Sequence, residues 1–181
     1  MKRAIVVPAI LAGAALDELK SWLAITTSSD DAMLTALLRA ALEMCEAFTG
    51  QVPLEALYEE TLSSSSEWQK LSSRPVLAVT GVEAFINQTQ RVPLPATDYA
   101  FELDPDEAAR VRILKVAGAK RFAVHFTAGL ASDWSTLPEG LRHGVLRFAA
   151  HLYRARDDDQ RNAPPAAVAA LWQPWRRMRL L

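Results

Sequence analysis

Few side chains in this sequence could do chemistry, and their spacing limits what they can do together. His125, His143 and His151 are the only imidazoles, and Cys45 is the only thiol. His143 and His151 stand eight residues apart in a segment of helical periodicity, a separation of about 12 Å along a helix. Two imidazoles so far apart cannot share a metal ion. The sequence contains neither HExxH nor a paired CxxC, so no zinc-ligand set is expected. Cys45 falls on an apolar stripe, where a thiol commonly serves as a small buried hydrophobe. There is no GxSxG, GxGxxG or Walker-type loop, and the seven glycines are dispersed, which leaves little material for a phosphate cradle. Glu59-Glu60 and Asp157-Asp158-Asp159 are consecutive acids, whereas acid–base chemistry needs two carboxylates facing each other across a cleft. The expectation is therefore no catalytic, cofactor-binding or metal-binding residue. The enzymatic alternative is a small α+β hydrolase or ligand-binding domain with a site near His125. It requires that histidine to line a pocket beside an acid.

The end of the sequence is chemically different. From Arg161 to Leu181 there are four arginines, two tryptophans and no acid. Exposed Trp, Met and Leu are unfavourable in water, and Trp and Arg are enriched where proteins grip one another. Two readings follow from the residues alone. The segment is either a strap packed on its own domain with arginines outward, or an arm that docks onto a partner. Contact with a nucleic-acid backbone is a weaker third reading. The segment is short, and the whole chain carries a net charge of -1.

The elements that must position these residues are legible from periodicity. The 181 residues are 50% hydrophobic and 23% charged, enough for one domain with a core. A single cysteine cannot form an internal disulfide. Residues 1–15 combine a basic start, an apolar run and small residues. Pro8 inside the run argues against a signal peptide, and the run is too short to span a bilayer. An extended N-terminal arm, suited to pairing with a neighbouring subunit, is expected instead. Leu16, Leu19, Trp22 and Leu23 have helical spacing, with Asp17 and Glu18 in the first turn. Ser29 or Asp30 can cap a second helix whose stripe is Leu34, Leu37, Leu38, Ala41, Cys45 and Phe48. Gly50 is its stop.

Residues 55–128 change period. Tyr58 to Leu62 and Trp68 to Leu71 predict a hairpin around Ser63-Ser64-Ser65-Ser66. Val76 to Ile86, Tyr99 to Leu103, Val111 to Val116 and Arg121 to Thr127 predict further antiparallel strands, with a turn at Asp104-Pro105-Asp106. Leu137-Pro138-Glu139 starts a long helix, residues 137–160, with Leu141, Val145, Phe148, Ala149 and Leu152 on its apolar face and Asp157 to Asn162 at its end. Pro164-Pro165 precedes the tail, residues 164–181. The expected fold class is α+β. The N- and C-terminal helices form a small bundle with an inserted antiparallel β region and an extended C-terminal tail, all in a single domain spanning residues 1–181.

The order of these segments resembles the head–tail connector (adaptor) proteins of long-tailed bacteriophages and phage-derived gene transfer agents. The similarity lies in three stretches. The first is the opening helix pair, from Leu16 to Leu23 and from Asp30 to Gly50. The second runs from Phe126-Thr127-Ala128-Gly129-Leu130 through Leu137 to Arg142 and Ala149 to Tyr153. The third is the close, from Val168 to Arg177, in which Trp175 stands where the family pattern has tyrosine. The resemblance implies a non-enzymatic virion protein made in the bacterial cytoplasm, which closes with copies of itself into a ring, typically twelvefold, beneath the portal. It implies that DNA passes through the ring's channel without sequence-specific binding, that a stopper or tail protein sits on the opposite face, and that no cofactor or membrane is involved. It also implies a portal contact through Trp172, Pro174, Trp175, Arg176, Arg177, Met178, Arg179, Leu180 and Leu181.

Overall fold

The computed structural model describes residues 2–87, 90–105, 107–115, 118–155 and 163–176. The α+β class is borne out, and the chain divides into two units. Met1–Ala9 with Glu55–Leu130 form a β unit, and Ile10–Leu54 with Ala131–Leu181 form a helical unit.

Among its described residues the β unit holds eight strands: β1 Lys2–Val7, β2 Ala56–Ser63, β3 Gln69–Lys70, β4 Val76–Phe85, β5 Arg91–Pro93, β6 Tyr99–Leu103, β7 Ala109–Ile113 and β8 Arg121–Ala128. Five of them form a sheet in the order β1-β2-β8-β4-β5, and three form a second in the order β3-β7-β6. Every pairing is antiparallel. β8 is central because it is apolar enough to be covered, with Phe122, Val124 and Phe126 all fully buried. Phe126 stacks on Tyr58 of β2, with ring centroids 5.7 Å apart. Beside Tyr58, the buried Glu60 carboxylate accepts hydrogen bonds from the Ser72 N–H (2.9 Å) and hydroxyl (2.8 Å). A buried carboxylate without such donors would carry a desolvation penalty of several kcal/mol.

Two strand expectations are corrected. β2 and β3 do not form a hairpin: β2 lies between β1 and β8, and β3 pairs with β7. β2 alternates between buried and partly covered residues along its length, as suits an interior strand. The N-terminal arm is extended as expected, but it pairs with β2 of its own chain, with Ile5 opposite Tyr58 and Arg3 opposite Glu60.

The helical unit contains α1 Gly13–Leu23, α2 Asp31–Thr49, α3 Glu139–Arg154 and α4 Ala166–Trp172. α2 buries Leu34, Leu38, Ala41, Cys45 and Thr49, while Leu37 and Phe48 from the expected stripe are only partly covered. Gly50 closes α2 with a φ of 73°, a left-handed conformation that glycine adopts without steric cost. α1 starts earlier than expected, at Gly13, so Asp17 and Glu18 lie beyond its first turn. Asp30 occupies the N-cap position of α2, but its side chain does not cap the helix. Its carboxylate accepts instead from the Tyr153 hydroxyl at 3.0 Å, which ties the start of α2 to the end of α3. Lys20 on α1 pairs with Asp31 at 2.7 Å. α3 buries Leu141, Val145, Phe148 and Ala149 as expected. The expected helix end at Asp157 to Asn162 lies outside the described residues, and α3 is described to Arg154, with Ala155 at its C-cap position.

Candidate docking surface

The tail begins from a fixed point. Pro165 starts α4, and Val168 and Trp172 are its buried residues. The Trp172 indole has no exposed surface. Its ring lies 5.9 Å from Phe48 of α2 and 6.0 Å from Phe148 of α3, and its N–H donates to the Leu141 carbonyl at 3.3 Å. A tryptophan buries well only when its N–H finds an acceptor. Gly144 makes the space: a Cβ built there would sit 2.2 Å from Trp172 Nε1. α3 thus presents a slot, and α4 fills it.

After Trp172, one turn of 3-10 helix, Gln173–Trp175, leads the chain out. The Gln51 side-chain amide donates to the Trp175 carbonyl. The Trp175 ring is partly covered beside Gly140, while Pro174 and Arg176 are exposed. The Arg176 guanidinium lies 5.4 Å from the Phe48 ring centroid, within cation–π range. Of the residues expected at a partner contact, Trp172 therefore belongs to the core of its own unit. Pro174, Trp175 and Arg176 stand at the surface beside it. Arg177, Met178, Arg179, Leu180 and Leu181 lie outside the described residues. Trp172 gave no sequence signal of its burial, because the slot it needs is a single glycine on another helix.

The other candidates separate from this surface and from one another. Cys45 is buried, and burial pushes its thiol up to about 12, so it stays protonated and unreactive at neutral pH. His143 meets the edge of Trp22, with centroids 5.3 Å apart. His151 and Trp22 border an open cleft of about 220 Å³ with Arg147, Arg154, Pro165, Ala167 and Val168. A larger open cleft of about 700 Å³ is lined by Glu18, Ser21, Trp22, Leu146 and Arg154. His125 sits on β8 with its Nε2 3.3 Å from a Glu83 oxygen and 3.9 Å from a Glu59 oxygen. The acids demanded by the hydrolase alternative are present. Yet Arg91 contacts both Glu59 and Glu83, and neither described cleft includes His125. Among the described residues, no group of three His, Cys, Asp or Glu could hold a metal ion, and no helix is long and apolar enough to cross a membrane.

Comparison with known proteins bears out the resemblance read from the sequence. The model of the phage gp6-like head-tail connector proteins matches residues 14–89. No curated protein matches. A protein in the neck of an empty gene transfer agent particle, solved with C6 symmetry, is 28% identical with a TM-score of 0.76, over 100% of this chain and 98% of its own. A protein of the virion of a native gene transfer agent particle gives the same values. One in the neck of a native particle, solved with C12 symmetry, is 29% identical with a TM-score of 0.72 over the same shares.

Proposed function

We propose that the chain is a head–tail connector protein, a structural virion protein: an adaptor that forms a ring beneath the portal of a phage or gene transfer agent particle. The ring, twelvefold in this reading, lengthens the DNA channel and offers its far face to a stopper or tail protein. Both units serve as one connector domain, and the chain performs no reaction. The observation that carries the reading is the end-to-end likeness to neck proteins of gene transfer agent particles.

The tail grips the portal in this proposal. Trp172 anchors it, and Pro174, Trp175 and Arg176 lead Arg177 to Leu181 onto the partner. Arginine suits that role because its planar fork forms paired hydrogen bonds with carboxylates and carbonyls. Removing residues 177–181 spares every core contact of Trp172, so the truncated chain should fold and close normally yet fail to retain the portal in a pull-down. Full-affinity retention by the truncated chain would sink the docking role.

A further inference from the structure

We propose that the outer edge of β1 in one copy pairs antiparallel with the outer edge of β6 in the next copy, so that main-chain hydrogen bonds close the ring. The inference rests on the ring reading above and supplies its subunit interface.

Among the described residues the β unit has four sheet edges: β1, β5, β3 and β6. β3 has two residues, and β5 has three and ends in Pro93, which has no N–H to donate. β1 has six residues and β6 has five, and in their sheets each borders one strand, β2 and β7 respectively. Edges of such length are normally blunted, because their free N–H and C=O groups recruit other strands. Here they carry exposed apolar surface as well as charges.

That surface is unfinished on both strands. Phe101 and Leu103 share a face with Val111 and Ala109, their direct partners on β7. Val111 is 0% exposed, whereas Phe101 is 45% and Leu103 48% exposed. The apolar layer under β7 therefore runs out uncovered at β6. On β1, Ile5 shares a face with the buried Tyr58, and Ile5 is 50% exposed. A bulge between Ile5 and Val7 leaves Lys2–Ile5 as the regular edge.

Charge is compatible with the antiparallel direction. β1 carries Lys2 and Arg3 at its start and no acid, while β6 carries Glu102 and is followed by Asp104. An antiparallel register with Ile5 opposite Phe101 sets Arg3 opposite Leu103 and Lys2 opposite Asp104. Apolar faces then continue each other, and the terminal cation meets an acid. The occupant is a second copy because a closed ring of identical subunits needs two different, complementary surfaces on each. Pairing β1 with β1, or β6 with β6, would stop at a dimer.

The test is a disulfide trap. The double variant Ile5→Cys, Phe101→Cys is produced with the portal, oxidised, and run on a denaturing, non-reducing gel. Cys45 is buried and does not compete. A ladder of cross-linked multimers reaching the full ring, with both single variants monomeric on the same gel, supports the pairing. Rings visible by electron microscopy but no ladder overturn the pairing and leave the ring standing. Dimers from Ile5→Cys alone, or a cross-link to another protein, also overturn it. Failure of the wild-type chain to form any ring overturns both proposals. A second variant, Ile5→Asp, should lose the ring and keep the monomer's unfolding temperature, since Ile5 is half exposed.

Discussion

Gly144 is a glycine because Trp172 takes the space beside it. In an exposed helix an alanine would be better by about 1 kcal/mol. Here its methyl would meet an indole already backed by Phe48 and Phe148, and overpacking a filled core costs about 1–3 kcal/mol. The ring has nowhere to retreat, so the clash wins. Gly144→Ala should lower stability by about 2 kcal/mol, the difference taken at the upper end of the overpacking range, where a contact of 2.2 Å belongs. It should also loosen the start of the tail. Urea unfolding followed by tryptophan fluorescence checks the first, and faster proteolysis of the C-terminal segment checks the second. Unchanged stability would mean that Trp172 does not occupy the slot.

Elements were legible in the sequence where one face is buried and illegible where partners had to be chosen. The stripe of α2 and the short strand segments of β2 and β8 could be read because periodicity and length report the type of an element and which side meets the core. They do not report which strand lies alongside, so β2 and β3 looked like a hairpin although β8 and β7 are their partners. The tail's odd chemistry was equally visible, but the burial of Trp172 was not, since nothing local to Gly144 marks it as a slot. Asp30 shows the same limit. Its type and place suit a helix cap, yet a tyrosine from the far end of α3 claims its carboxylate. That hydrogen bond joins two helices at their ends, where fraying begins. Tyr153→Phe keeps the ring and removes only the hydroxyl, so the expected loss is about 1.5 kcal/mol, the lower end of the worth of a hydrogen bond to a charged group because this one is only part-buried. Asp30→Asn keeps an acceptor and should cost less. Thermal unfolding of both variants checks the order, and no loss in Tyr153→Phe would mean that this hydrogen bond does not hold the two helix ends.

Across the whole molecule, charge decides how a ring of these chains would treat DNA. Each copy has 20 Lys and Arg against 21 Asp and Glu. Several cations are already engaged. Arg91 pairs with Glu59 and Glu83, Arg110 with Glu102 and Asp104, Arg142 with Glu18 and Glu139, and Lys115 with Asp98. Such pairs add little stability at an exposed surface, but they remove cations from the supply that phosphates could recruit. DNA affinity comes mainly from releasing counterions, and each neutralised phosphate contributes about 0.9 to the slope of log affinity against log salt. A duplex that must slide through a channel is best served by a wall that releases few. The assembled ring should therefore show no measurable binding to a labelled duplex at about 0.15 M salt, and only a shallow salt slope below it, by fluorescence anisotropy. Tight binding with a steep slope would mean that the arginines of the tail or the sheet face phosphate, and would count against the proposed docking of the tail on a protein partner.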